Sequence, residues 1–383
     1  MHYFLSSGEA SGDLHGAELI KSLRRLDPDA RFTFLGGDAC ADAAGTTPLI
    51  HIRRMAFMGF SEVLRNLPAI WRNIRTAKKA IADGRPDALI LVDYPSFNLR
   101  LAEKAAKLGI PVFYYISPKV WAWKEWRVKK IKKLVTKLFA IFPFEPDFYR
   151  RHGMEVEYVG NPSVEEVAER IEAAPPRDEF LKVHRLRDRK IIALLPGSRR
   201  GEIRNNLRVM IQAVDMMPQY RGVIAGAPGI EPEFYSQFTD LPVLHGETYN
   251  LLAHSHAALV TSGTATLETA LAGVPQVVTY RANGSSISYR LMKRLLKIRF
   301  VSLPNLIADR EIIPEQLLHM CTPELVGAKL AGILPDREPR RMQLEGYADM
   351  RERLGHNRAA DRTAELIIEN LRTVPNGSTS TNY

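Results

Sequence analysis

Cysteine is scarce: among 383 residues only Cys40 and Cys321 carry a thiol, far apart and outside any C-x-x-C spacing. That excludes a disulfide framework and a cysteine-rich zinc site, and both are read as packing residues. No uncharged apolar run approaches the roughly eighteen residues that a membrane-spanning helix requires. Met1 to Ser7 pass directly into a glycine-rich loop without the cationic stretch and apolar core of a signal segment, so the chain is expected to stay in the cytoplasm. The histidines, His254 and His256 included, stand in no H-E-x-x-H context, and no D-x-D loop marks a strand end, so no metal site is expected. The glycines of Gly8 to Gly12 lack the G-x-G-x-x-G spacing and an evident ribose-binding acid, which argues against a nicotinamide cofactor.

What is present describes an ordinary globular protein, 45% hydrophobic and 25% charged, and long enough for two cores. A net charge of +10 favours anionic partners without naming them. Much of the excess lies between Lys119 and Lys137, where Lys124, Arg127, Lys129, Lys130, Lys132 and Lys133 surround Trp121, Trp123 and Trp126. Nucleic acid could use such cations and rings, but no helix-turn-helix, zinc-finger or RNA-recognition signature accompanies them, so no nucleic-acid partner is expected.

Along the chain, short apolar runs alternate with amphipathic stretches. Tyr3 to Ser6, Arg31 to Leu35, Ala88 to Val92, Val112 to Ile116, Phe139 to Phe142 and Val156 to Val159 are predicted strands of a first domain, residues 1–162. Ser7 to Asp13 are expected to form a tight loop before a helix over Leu14 to Leu26. Charge and Pro175-Pro176 place an interdomain linker near Asn161 to Asp188. The alternation restarts at Ile191 and continues through Gly222 to Ala225, Val243 to Leu244, Ala257 to Val260 and Gln276 to Thr279, giving a second domain over residues 163–346. Helices are expected in 347–372, and 373–383 reads as a disordered tail. Each half predicts a doubly wound parallel sheet with its ligand groups at the carboxyl ends of the strands, where Glu9, Asp13, Asp93, Ser117 and Trp121 fall.

Two turns stand out. Leu194-Leu195-Pro196-Gly197-Ser198-Arg199 and Ser262-Gly263-Thr264-Ala265-Thr266-Leu267-Glu268 each follow an apolar run and open a helix. Unpaired amides, hydroxyls and the positive end of the helix dipole would converge at the second, suiting a diphosphate. Gly197 lets backbone approach a ligand, and Arg199 supplies a planar cation for phosphate oxygens. Together they read as a nucleotide-sugar cradle.

Two such domains facing each other across a central cleft describe the GT-B architecture. At the level of motifs the chain resembles the lipid-A-disaccharide synthases from about Ser6 to Leu371. The resemblance rests on G-E-A-S-G-D-x-x-G-A at Gly8 to Ala17, M-G-F-x-E-V-L at Met58 to Leu64, S-P-x-V-W-A-W at Ser117 to Trp123, P-F-E-x-x-F-Y at Pro143 to Tyr149, the two turns above, and S-L-P-N-L-I-A at Ser302 to Ala308. It implies transfer of 2,3-diacylglucosamine from UDP to the 6-hydroxyl of 2,3-diacylglucosamine 1-phosphate, with inversion and without an obligatory metal or other cofactor. A single displacement needs a base for the hydroxyl and charge stabilisation for departing UDP.

By the same resemblance Asp93 is the base, with Glu9 and Asp13 as competitors more suited to positioning the acceptor; the alternative is that Asp93 merely caps the following helix or ties down the loop. Ser96 stands where many relatives carry a second acid, so a two-carboxylate mechanism is not expected. The donor site would comprise Ser198, Arg199, Glu202, Ser262, Gly263, Thr264, Ala265, Thr266, Glu268 (on ribose hydroxyls) and Asn305. The acceptor side would draw on Gly8, Glu9, Ser11, Gly12, Asp13, His15, Asn98, Ser117 and Trp121, with His15 in a supporting role rather than as acid or base. Met55, Phe57, Met58, Phe60, Leu64, Leu67 and Trp71, flanked by arginines, suit acyl chains and docking on the anionic inner-membrane surface; their alternative place is the first core. Terminal helices that cross back to the first domain or exchange within a homodimer are both compatible with 347–372. The competing readings are a UDP-sugar 2-epimerase or other UDP-sugar transferase of this fold, and a non-catalytic module binding nucleic acid or anionic lipid.

Overall fold

The uninterrupted apolar runs fold as buried parallel strands, the pattern required when helices cover both faces of a sheet. A computed structural model describes residues 1–55, 66–123, 125–281 and 299–373. Their contacts form two units, Met1–Pro162 with the chain from His356 onward, and Ser163–Gly355.

The first unit holds β1 (His2–Ser6), β2 (Arg31–Gly36), β3 (Ile50–His51), β4 (Ala88–Val92), β5 (Val112–Tyr115), β6 (Lys137–Ala140) and β7 (Glu157–Tyr158), in the order β3-β2-β1-β4-β5-β6-β7. The order reverses between β1 and β4, which pair with Ser6 opposite Leu91. In an open parallel sheet that reversal opens a crevice at the strands' carboxyl ends, because the connections leave in opposite directions. The second unit repeats the plan with β8 (Lys190–Leu195), β9 (Tyr220–Gly226), β10 (Val243–His245), β11 (Ser255–Thr261), β12 (Gln276–Tyr280) and β13 (Glu315–Leu317), ordered β10-β9-β8-β11-β12-β13. Its reversal lies between β8 and β11, where Leu195 pairs with Val260.

Several expectations are corrected. The stretch 161–188 is no linker: it forms helices Pro162–Glu172 and Arg177–Val183, and Phe180 and Leu181 are buried in the core beneath β8. Charge and the proline pair masked two apolar residues that the sheet needs. The segment from Tyr347 does not yet leave the second unit either. Helix Glu338–Leu354 is pinned there by a buried polar net in which the Tyr347 hydroxyl donates to the Val274 carbonyl at 3.2 Å and Gln343 bonds the Gln276 backbone. Gly355, at φ 66°, ends it. Only then does helix Ala359–Thr373 pack on helix Ala10–Leu26 of the same chain, where Ser22 bonds Asp361 at 2.6 Å and Arg25 pairs with the same carboxylate. Gly160 meets this returning chain: a Cβ there would lie 2.5 Å from the Asn357 carbonyl oxygen. Thr373, expected to begin a disordered tail over 373–383, belongs to that last helix, and 374–383 lie outside the described residues.

Candidate active site

In the first unit the reversal between β1 and β4 brings Gly8 and Glu9 beside Asp93 and Tyr94. Asp93 and Tyr94 have φ of 43° and 47°, two successive non-glycine residues in the left-handed region. Each costs on the order of 1–2 kcal/mol, so the turn persists only because its surroundings hold it. Asn98, fully buried in helix Pro95–Lys107, donates to the carbonyls of Ser6, Val92 and Asp93 at 3.2, 3.2 and 2.8 Å and accepts from the Ser6 hydroxyl at 2.7 Å. The Tyr114 hydroxyl also donates to the Asp93 carbonyl, at 2.6 Å. Gly8 has no room for a side chain, since a Cβ would sit 2.3 Å from the Tyr94 ring.

The backbone that carries the Asp93 carboxyl is thereby held in a strained conformation. Burial raises its pKa above the usual aspartate range; the Lys119 ammonium opposes this, Glu9 adds to it, and the Tyr94 N–H bonds the carboxylate. Helix Pro95–Lys107 has no side-chain cap, so Asp93 does not cap it, while the Tyr94 N–H bond to its carboxylate is the kind of contact that ties down the loop. Glu9 is exposed as the N-cap of helix Ala10–Leu26, and Ser11, Gly12 and Asp13 lie in that helix's first turn rather than in a loop.

Asp13 is corrected from acceptor positioning to capping. Its buried carboxylate accepts from the backbone N–H of Gly37, Ala39 and Cys40, three donors left open at the start of helix Asp38–Ala44. Asn98 is likewise a brace rather than an acceptor ligand. Ser117 and Trp121 turn inward: the Ser117 hydroxyl and, at 3.1 Å, the Trp121 indole N–H both donate to buried Glu145. His15 is partly buried, and burial lowers its pKa to about 4, so it is neutral at pH 7.

In the second unit, Pro196 to Arg199 leave β8 into helix Arg200–Asp215. Glu202 closes a capping arrangement there, accepting from the Ser198 N–H at 3.1 Å and from the Arg199 guanidinium at 2.8 Å. Gly197, at φ 118°, is required because a Cβ would fall 2.7 Å from that of Glu202. Glu202 thus orients Arg199, whose side chain is two-thirds exposed, 67%. Ser262 to Thr264 leave β11 into helix Thr264–Leu271, with Gly263 as N-cap at φ 150° and no heavy atom within 4 Å of where a Cβ would be. Gly263 and Thr264 are exposed and Ala265 half-buried, whereas Thr266 is buried with its hydroxyl on the Gly263 carbonyl at 2.8 Å.

The wall beside this turn depends on residues the sequence reading did not assign. Glu315 of β13 accepts from the backbone N–H of Val301 and Ser302, from the Ser302 hydroxyl, and from Asn305 at 3.0 Å. Ser262 donates to the Val301 carbonyl at 3.0 Å. Asn305 is corrected from donor partner to brace, because its buried amide also bonds the Ile313 carbonyl and the N–H groups of Ile312 and Ile313. Glu268 is raised to about 7, first by burial and then by the charge of Glu166; Tyr249 bonds Glu166 at 3.4 Å. Neither Glu166 nor Tyr249 was legible as a partner, being distant in sequence and without a motif.

Of the apolar residues expected to meet lipid, Met55 is buried (2% exposed) and is corrected to core, while Leu67 and Trp71 lie on the outer face of helix Leu67–Gly84. Phe57, Met58, Phe60 and Leu64 lie outside the described residues. Among the described residues no helix is long and apolar enough to cross a membrane.

Comparison with known proteins gives the fold and the family. Among solved structures, the UDP-GlcNAc 2-epimerase from Neisseria meningitidis bound to UDP-GlcNAc superposes with a TM-score of 0.67 at 13% identity, covering 97% of this chain and 100% of that one. The calicheamicin glycosyltransferase CalG4 gives 0.58 at 16%, covering 98% and 99%. At such identities the likeness establishes the fold alone: α/β and GT-B-like. A curated lipid-A-disaccharide synthase from Myxococcus xanthus is 42% identical over 374 residues, 95% of this chain and 96% of that protein. The sequence model of the lipid-A-disaccharide synthetase family matches residues 3–369. With that match running through both units and across both helix-opening turns, the chain belongs to the lipid-A-disaccharide synthase family of glycosyltransferases.

Proposed function

We propose that the chain performs the family's hexosyl transfer as a single inverting displacement in which Asp93 is the base and the β8 and β11 turns hold the donor. The acceptor O6 attacks C1 of the UDP-linked 2,3-diacylglucosamine, its proton passes to the Asp93 carboxylate, and the C1–O bond breaks with its electron pair on UDP. The observation that carries the reading is the strained Asp93-Tyr94 turn at the first sheet's reversal, which fixes a carboxylate made more basic by burial. Arg199 and the amides of Gly263 to Ala265 receive the diphosphate, supplying the positive charge that a divalent cation provides elsewhere, so no metal is needed. Glu268 receives the ribose hydroxyls.

Membrane association is part of the same proposal, because both substrates carry acyl chains. Exposed Leu67 and Trp71 support it, with the Arg100 guanidinium 4.5 Å from the Trp71 ring centroid, as does exposed Trp126 beside the basic helix Arg127–Leu134. The test is purified protein with the two acylated sugars, followed by mass analysis. A tetraacyl disaccharide 1-phosphate and UDP are expected, and Asp93→Asn should lower kcat by at least about a thousandfold, within the range for loss of a general base in a buried site. Epimerised UDP-sugar without acceptor, or near-parental turnover by D93N, would overturn the reading.

A further inference from the structure

Glu145 takes no part in that mechanism. It is fully buried at the start of helix Glu145–Arg150, and four donors converge on its carboxylate. One oxygen accepts from the Ser117 hydroxyl and the Trp121 indole N–H, and the other from the backbone N–H of Ile141 and Phe142, each at 3.0 Å. Edge contacts of Trp121 with Phe142 and Phe144 close the surroundings. Immediately before Ser117, Ile116 has φ 63°, a conformation that a β-branched residue adopts only under constraint.

Ser117 and Trp121 are the two anchors of one short turn, and Lys119 lies midway between them, exposed, next to the stiff Pro118. Lys119 is also the cation whose charge reaches Asp93. The strands concerned are neighbours, with Val92 of β4 opposite Tyr115 of β5. Asn98 and Tyr114 hold the first strained turn, and Glu145 holds the second.

We infer that Glu145 is a positioning residue for the transfer: by anchoring Ser117 and Trp121 it fixes the turn that carries Lys119, the cation whose charge reaches Asp93. The inference rests on the reading of Asp93 as the base. Besides the four donors, the groups facing Glu145 are the phenols of Tyr149, on its own helix, and Tyr158, on β7. Burial raises the Glu145 carboxyl to about 7, against the pull of its hydrogen bonds. Gln cannot replace it, because one carbonyl oxygen serves only one pair of donors and the amide NH2 then faces the other pair.

The test is the pH profile of kcat for the full chain carrying Glu145→Gln, Ser117→Ala, Lys119→Ala, or E145Q and K119A together, with UDP affinity measured in parallel. Withdrawing a cation from Asp93 raises its pKa, so the acid limb should move to higher pH in E145Q and K119A, and less far in S117A, which loses one of the four bonds. The double variant should shift no further than K119A alone, and UDP affinity should remain parental throughout. S117A and K119A preserve the test if E145Q does not fold. An acid limb that stays in place in E145Q, or in S117A where E145Q cannot be obtained, overturns the inference, as does a shift that adds to that of K119A. If D93N retains turnover, the base assignment itself falls and this inference with it; if D93N is inactive and the limb does not move, only the role of Glu145 is lost.

Discussion

Replacing Asn98 by Asp should harm the protein at least as much as replacing it by Ala, although Asp is nearly isosteric. The Asn98 NH2 points at three carbonyl oxygens within 3.2 Å, and its own oxygen accepts from Ser6. Alanine removes about two net hydrogen bonds in a buried place, worth on the order of 3 kcal/mol when partners are left unsatisfied. The turn it holds stores a comparable amount, about 2–4 kcal/mol across Asp93 and Tyr94, so the backbone would relax and carry the Asp93 carboxyl away. An aspartate would instead set a charge against those three carbonyls and remain protonated well above its usual range. Because the native state then binds a proton that the unfolded state releases, the deficit of N98D should shrink as pH falls, while that of N98A should not. Urea unfolding midpoints at pH 7.5 and 5.5, with kcat at each, provide the assay. Both variants should lose at least about a hundredfold in kcat, the equivalent of displacing a catalytic group by about an ångström. An N98D protein with a parental midpoint and parental turnover at pH 7.5 would refute the idea that Asn98 holds the strained turn.

Two further outcomes separate binding from folding in the second unit. Arg199→Ala removes an exposed guanidinium that pairs with Glu202, its neighbour three residues on, so the melting temperature should stay close to the parent's, while UDP affinity by calorimetry should fall about 10- to 100-fold for loss of charge-assisted bonds. Under the proposed role of Glu268 on the ribose hydroxyls, a carboxyl raised to about 7 accepts best when ionised, so UDP affinity should climb between pH 6 and 8, and Glu268→Gln should flatten that climb. The stability consequence has the opposite sign. A carboxyl with a raised folded pKa holds a proton that the unfolded chain gives up, so its stabilising contribution is present below the unfolded value and declines as pH rises toward 7. E268Q should therefore lose less stability than the parent across that window in thermal unfolding, and an equal loss would refute the assignment.

The buried strands were legible because a parallel strand covered on both sides must be apolar throughout, as Ala88 to Val92 and Ile191 to Leu195 are. Edge strands escape that demand. Ile50–His51 and Glu315–Leu317 are short and partly polar, and neither is legible in the sequence. The missed β13 matters most, since its Glu315 organises the wall beside Ser262. The helical return was misplaced by nine residues because the amphipathic pattern runs on through Glu338–Leu354, and nothing local says which unit the apolar face joins. Asp13, Asn98, Ser117, Trp121 and Asn305 were assigned to ligands because motif position marks a residue as important without distinguishing contact from support. In the folded chain each is engaged by buried neighbours.

The amino-acid sequence by itself determined the fold class and the family, because apolar periodicity and the motifs of single turns are encoded over stretches of a few residues, whereas the strand order that reverses in each sheet is not. Tertiary structure alone decided which polar side chains are free to act. Hydrogen-bond partners separated by tens of residues, such as Glu145 with Ser117 or Asn305 with Glu315, leave no local trace, and only their meeting separates the carboxylate that is aimed from the carboxylate that holds.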